Sequence, residues 1–197
     1  MKEPELAAIV LAAGGSFRLG HPKQLVQYEG EPLIRRAARL AVEVGAAPTL
    51  VVLPAGVPVI QLALAGLSSI VVLENVQAAE GMGSSLRLSM NTLLDANVIP
   101  KRLLLLTCDQ PLIEARHLQS LLQAPTGSGI TAAFYNGWPG VPAVFDRQHF
   151  PALAQAHGDQ GARTLLRSGP VTTVDMPEAA LDVDTPEDLS RLTDLRH

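Results

Sequence analysis

Chemistry in this chain is concentrated in one glycine-rich loop, two acidic corners and two short polar segments. The loop reads Leu11-Ala12-Ala13-Gly14-Gly15-Ser16-Phe17-Arg18-Leu19-Gly20-His21-Pro22-Lys23. Its small residues let the backbone approach a ligand closely and expose N–H groups, and Arg18 and Lys23 add cationic donors suited to phosphate oxygens. The loop reads as a triphosphate cradle, with a glycine-rich turn carrying solvated charges as the plainer alternative. It fits neither GxxxxGK[ST] nor GxGxxG, so kinase and dehydrogenase readings lose support. The first acidic corner is Cys108-Asp109-Gln110-Pro111, directly after an apolar run. A carboxylate at the carboxyl end of a buried parallel strand lies where open α/β sheets bind ligands, and it suits Mg²⁺ held against phosphates. Asp109 is therefore the first candidate metal ligand, a turn or cap aspartate being the alternative. Cys108 has no basic neighbour and reads as a packing residue rather than a nucleophile.

The second acidic corner is Leu181-Asp182-Val183-Asp184-Thr185-Pro186-Glu187-Asp188. If residues 181–183 are extended, Asp182 and Asp184 point to one side, and one of them can complete a cation site begun by Asp109. The alternative is that Asp184 caps the final helix while Glu187 and Asp188 complement its dipole. Glu80-Gly81-Met82-Gly83-Ser84-Ser85 places small residues and two hydroxyls ahead of an amphipathic helix, suited either to nucleotide contact or to ordinary capping. Gly158-Asp159-Gln160-Gly161-Ala162-Arg163 offers an arginine to an acceptor phosphate, or is a solvated loop. The five histidines show no HExxH or paired metal-ligand spacing, and no GxSxG elbow occurs.

Positioning these groups falls to an alternation of strands and helices. Short apolar runs at 7–12, 49–53, 69–73, 102–107, 130–134 and 171–175 read as strands. Apolar residues recur at helical spacing in 32–44, 82–94, 114–122 and 161–167. The order predicts an α/β fold with a mostly parallel central sheet flanked by helices. Trp138-Pro139-Gly140-Val141-Pro142 is read as an interruption where a substrate-facing insertion starts. Thr185, Pro186 and the acidic residues after them predict a capped last helix through Leu195.

The 197 residues are 47% hydrophobic and 17% charged, enough for one α/β domain with a continuous core and expected over the whole chain, 1–197. A net charge of -4 leaves no global electrostatic footprint for nucleic acid or an anionic membrane. The single cysteine excludes an internal disulfide and fits a reducing cytoplasm. The apolar run from Leu6 to Ala13 meets Gly14-Gly15 too soon for a signal peptide or a membrane span.

Taken in order, LAAGGSFRLGHPKQL, GMGSSL, LLLTCDQP, GVPAVF, GDQGARTLL and LDVDTPEDL resemble the MobA-like NTP transferase family, especially molybdenum cofactor cytidylyltransferases. The resemblance implies a Rossmann-like fold of the nucleotide-diphospho-sugar transferase type, a Mg²⁺-bound NTP, attack of an acceptor phosphate on the α-phosphorus and release of pyrophosphate. Carried onto this chain, it implies that Leu11, Ala12, Ala13, Gly14, Gly15, Gly81, Ser84 and Ser85 face the nucleotide. Arg18, Lys23 and Asp109 serve transfer, Asp109 and Asp182 hold Mg²⁺, and Gln110 and Arg163 meet the acceptor. Related guanylyltransferases commonly carry LAGG, whereas Leu11-Ala12-Ala13-Gly14 is similar to the cytidylyltransferase version, so CTP is expected. The chain departs from its relatives at Gly15 and Phe17, where polar or basic residues are common, and at Leu19, where Met is usual. The implied acceptor is molybdopterin carrying molybdenum, and a molybdenum hydroxylase apoenzyme is the implied partner. The alternatives are a GTP-using or metabolite-phosphate enzyme of the same superfamily, and a non-catalytic nucleotide-binding chaperone that delivers cofactor.

Overall fold

The computed structural model describes residues 3–15, 19–125, 127–158 and 161–194, without the side chains of 193 and 194. Strand β1 (Leu6–Leu11) is buried at every residue, which is why its sequence runs continuously apolar instead of alternating. After it come β2 (Gln27–Tyr28), β3 (Glu31–Pro32), α1 (Leu33–Glu43), β4 (Thr49–Pro54), α2 (Pro58–Leu62) and β5 (Ile70–Asn75). The chain continues through α3 (Met82–Asp95), β6 (Arg102–Thr107), α4 (Ala115–Gln123), β7 (Ile130–Tyr135) and β8 (Trp138–Asp146). It ends with α5 (Phe150–Leu153), α6 (Arg163–Ser168), β9 (Thr172–Asp175) and α7 (Pro186–Asp194).

Seven strands form one sheet in the order β5-β4-β1-β6-β8-β7-β9, and β2 pairs with β3 apart from it. The four strands β5, β4, β1 and β6 run parallel, and β9 runs parallel to β7. Alternate residues of β1 face opposite layers. Ala8 and Val10 pack with Ile34, Ala38 and Ala41 of α1 and Leu118 and Leu121 of α4. Ala7, Ile9 and Leu11 pack with Leu86, Met90 and Leu93 of α3 and with Phe150, Leu153 and Leu166. A third cluster joins Leu19, Val26 and Leu33 to Val183 and Leu192, seating the end of the chain beside its first loop.

Residues 138–142 do not interrupt the fold as the prolines suggested. They open β8, a nine-residue strand antiparallel to both β6 and β7. Asn136 and Gly137, with φ of 52° and 80°, make the two-residue turn into it, a geometry matched to strand twist. Pairing shifts from Ala133↔Gly140 to Ala132↔Ala143, so Val141 and Pro142 form a bulge. On its other side β8 pairs with β6 only over residues 143–146. Pro139 and Pro142 thus lie where no full ladder is needed, the positions at which a sheet tolerates proline. The last helix begins at Pro186 as predicted, with Thr185 and Asp188 exchanging cap hydrogen bonds (Thr185 N–H to Asp188 Oδ2 2.9 Å, Asp188 N–H to Thr185 Oγ1 3.3 Å).

Candidate active site

The loop after β1 is shaped from behind by Gln24, which is 1% exposed and sits in a short helical turn. Its amide nitrogen donates to the carbonyl oxygens of Ala12 (2.6 Å) and Gly14 (3.1 Å). Ala12 N–H in turn continues the ladder to Val52 (2.9 Å). The loop so held forms one wall of a cavity of about 370 Å³, lined by Leu11, Ala12, Ala13, Gly14 and Gly15 together with Lys23, Gly81, Met82, Ser85, Cys108 and Asp109. Gly81 carries φ 101°, a conformation that L side chains rarely adopt, and it turns the chain into α3 at the cavity's edge.

Lys23 and Asp109 meet at this cavity, although 86 positions separate them in sequence (Nζ to Oδ2 2.6 Å). Asp184 is brought to the same ammonium (2.7 Å). Val183 N–H donates to the carbonyl of Asp109 (2.9 Å), which aligns the second acidic corner with the first. Burial alone lowers the Lys23 pKa, but the charge of Asp109 and the hydrogen bonds of both aspartates more than offset it and hold the lysine above its ordinary value. Asp182 keeps one face to solvent, yet desolvation in the cleft wall pushes its pKa up to about 7. The neighbouring charges of Asp109 and Asp184 add to the rise, and the charge of Lys23 opposes it.

Two carboxylates thus share one ammonium with a third, Asp182, close enough to feel their charge, a local excess of negative charge that suits a divalent cation. Among the described residues no three His, Cys, Asp or Glu side chains are preassembled as a metal site. Asp109 and one carboxylate of the second acidic corner can supply a divalent cation with protein ligands, the rest of its shell coming from substrate phosphates and water.

A second cavity of about 290 Å³ adjoins the first, with Met82 in the wall of both. Its lining includes Tyr135, Asn136, Trp138, Arg163, Arg167 and Asp182. Arg163 and Asp182 both line this second cavity. Arg18 falls outside the described residues.

Two assignments are corrected. Ser84 is 2% exposed; its hydroxyl donates to the carbonyls of Gln77 or Gly81 and accepts from Asn75 (2.8 Å), so it holds the loop ahead of α3 rather than a ligand. Gln110 is 7% exposed and its amide donates to Val141 (3.0 Å) and Ala179 (2.9 Å), tying the bulge to the chain end instead of reaching an acceptor. Ser85 also accepts from Asn75 (2.9 Å) but remains in the cavity wall. Sequence reading passed over Gln24, Asn75, Tyr135 and Arg167, and named Trp138 only as the start of a substrate-facing insertion.

Cys108 is 3% exposed and packs in the core, and burial pushes its thiol well above the usual range. We expect Cys108→Ala to keep kcat/KM within about threefold of the parent, a difference below about 1 kcal/mol, in a pyrophosphate-release assay. At Gly83 an added Cβ would meet the backbone of His157 at 2.6–2.8 Å, so α3 and the segment leading to α6 touch main chain to main chain. Gly83→Ala is expected to cost about 1–3 kcal/mol, seen as a fall in melting temperature of about 2–4 °C per kcal/mol.

A glycine-bearing loop at the end of one central parallel strand and an aspartate at the end of its neighbour form a cleft at the carboxyl ends of the sheet, where open α/β folds bind ligands. The same architecture is found in a nucleotidyl transferase from Methanothermobacter thermautotroptrophicus, with TM-score 0.78 at 19% identity over 98% of each chain. The chain belongs to the MobA-like NTP transferase family, whose domain matches residues 8–177. It is 32% identical to nicotine blue oxidoreductase of Paenarthrobacter nicotinovorans, over 96% of this chain and 97% of that one. Rv0371c from Mycobacterium tuberculosis H37Rv has TM-score 0.81 at 30% identity, covering 98% of this chain and 100% of its own. That protein has also been solved in complex with manganese, with TM-score 0.75 at 28% identity over the same shares of the two chains. No helix among the described residues is long and apolar enough to cross a membrane.

Proposed function

We propose that this protein transfers CMP from CTP to the terminal phosphate of molybdopterin, giving molybdopterin cytosine dinucleotide and pyrophosphate. The observation that carries the reading is the meeting of Lys23, Asp109 and Asp184 at the junction of β1 and β6, inside a cavity walled by the Ala12–Gly15 loop. Asp109 and Asp182 hold Mg²⁺, with Asp184 the rival second ligand. The ion, when bound, neutralises triphosphate charge and polarises the α-phosphorus. Lys23, and Arg18 with it, stabilise charge on the departing pyrophosphate. An acceptor phosphate oxygen forms the new bond to the α-phosphorus as the bond to the bridging oxygen breaks. The nucleophile is already anionic, so no protein base is required, and the protein's contribution is positioning and charge. Arg163, in the adjoining cavity, steadies the acceptor phosphate.

The cytosine preference rests on the resemblance of the Leu11-Ala12-Ala13-Gly14 loop to that of cytidylyltransferases, with Ala13 in the cavity wall. The manganese complex of a relative supports a divalent cation. The test is competition: with molybdopterin, Mg²⁺ and equal CTP and GTP, the product ratio reports the ratio of kcat/KM values. Mostly cytosine dinucleotide is expected, and Ala13→Gly should shift the ratio toward guanine. Mostly guanine dinucleotide from the parent overturns the base assignment, and CTP binding without pyrophosphate release favours the non-catalytic delivery reading. Because one relative is named an oxidoreductase, NADH and NADPH are added as a further arm. Their consumption without pyrophosphate release would overturn the transferase reading altogether.

A further inference from the structure

We infer that Gln24 is a positioning residue of the loop after β1, whose grip on two carbonyls turns the backbone N–H groups of Ala13 and Gly15 toward the nucleotide as a pair of preset donors. The inference rests on the reading that the cavity beside Lys23 holds the nucleotide. In a trans peptide the C=O of one residue and the N–H of the next point opposite ways, and both peptides concerned are trans. Gln24 Nε2 donates to the carbonyls of Ala12 (2.6 Å) and Gly14 (3.1 Å), so the N–H groups of Ala13 and Gly15 face away from it. The loop divides two cavities, and Gly14 and Gly15 line both. Gln24 stands in the rear wall with Pro54 and Ile60, whereas Lys23 stands in the front wall with Asp109. Consecutive residues of one short helical turn thus clasp the loop from its two faces, and the donors that Gln24 turns away from itself face the nucleotide side.

Backbone accounting singles out the same pair. The Leu11 carbonyl accepts from Cys108 N–H (3.2 Å), Ala12 N–H donates to Val52 (2.9 Å), and the carbonyls of Ala12 and Gly14 are taken by Gln24. Among the described residues no backbone acceptor meets Ala13 N–H or Gly15 N–H. Lys23 runs along the front of the loop, its Cε 3.9 Å from where a Cβ on Gly14 would stand. Fixed N–H groups beside an ammonium suit the oxygen acceptors of a nucleotide, on its phosphates or on its base. The amide of Gln24, rather than its bulk, is what the site uses. Its Oε1 is buried with no hydrogen-bond partner among the described residues, a loss of stability that an apolar side chain of the same size would avoid.

Gln24→Met keeps the length and volume of the side chain and removes both donated hydrogen bonds. Calorimetric titrations at fixed Mg²⁺ with CTP, inorganic tripolyphosphate and cytidine compare it with the unmodified protein. CTP affinity is expected to fall about tenfold or more. The melting temperature should stay within about 3 °C, because the two lost bonds are offset in part by removal of the unpaired Oε1. A fall in tripolyphosphate affinity assigns the donor pair to the phosphates, and a fall in cytidine affinity assigns it to the base. In the NMR spectrum of the unmodified protein, the amide protons of Ala13 and Gly15 should both move downfield on saturation with CTP, and Gln24→Met should lose that movement. A residue that only fills space would leave this signature alone. Affinities for all three ligands within about threefold of the parent overturn the inference. So does the absence of downfield movement in the unmodified protein, a measurement that needs no folded variant. Gln24-dependent movement without CMP transfer to molybdopterin supports this inference and defeats the proposed reaction. CMP transfer with an unchanged CTP KM in Gln24→Met does the reverse.

Discussion

Asp109→Asn is expected to lower kcat/KM for nucleotidyl transfer by about a thousandfold or more, about 4 kcal/mol of lost transition-state stabilisation. The side chain keeps its size, so the apolar contacts beneath it stay, and Lys23 retains Asp184 as a partner. What disappears is the negative charge at the end of β6 that, in the proposed reaction, anchors the cation against the triphosphate. A steady-state assay at saturating Mg²⁺ with a thermal melt alongside measures both quantities. Turnover near that of the parent would remove Asp109 from the metal site. Asp182→Asn is expected to follow Asp109→Asn, and Asp184→Asn serves as the comparison. If only the Asp184 substitution abolishes activity, the second metal ligand is Asp184.

Lys23→Ala should reduce kcat about a hundredfold or more, the scale of losing one preorganised charge donor at a developing anion. It should also destabilise the protein, because Asp109 and Asp184 lose the cation they share. We expect about 1–3 kcal/mol, less than for a fully buried pair, since the Asp184 side chain is 38% exposed and partly screened. Millimolar Mg²⁺ or Mn²⁺ should restore part of the lost melting temperature in this variant and add less to the parent, because the metal takes up charge that the lysine neutralised. The check is kcat together with melting curves at several metal concentrations. Activity within about threefold of the parent would exclude Lys23 from transfer.

The parallel half of the sheet was legible because burial on both faces writes itself as unbroken apolar runs, as in β1 and β6. The same runs end at Gly14 and Asp109, which made the two strand ends readable as a ligand site. Strand β8 was hidden by Pro139 and Pro142, residues that ordinarily exclude a strand. Only the three-dimensional pairing reveals that one lies where β6 is absent and the other in a bulge. Asn136-Gly137 is a turn pair suited to a hairpin, a signal that the sequence reading did not use. Ser84 and Gln110 stand in the segments that form the site, but motif position does not say which way a side chain turns. Gln24 was invisible for a related reason, since an amide that braces a backbone from behind has no periodicity. The meeting of Lys23 with Asp184 spans 161 positions and obeys no local spacing rule.

That long span bears on how the protein comes into being. Every described residue in the wall of the cavity that Lys23 lines lies at or before Asp109, whereas the segment tied back to Asp109 through Val183, which carries Asp182 and Asp184, is translated later. Chains emerge from the ribosome N-terminus first, at about 5–20 residues per second. For several seconds the growing polypeptide therefore carries the residues of that cavity without the carboxylates of its second acidic corner. A chain interrupted before residue 182 never acquires the carboxylate of Asp184 that shares Lys23 with Asp109.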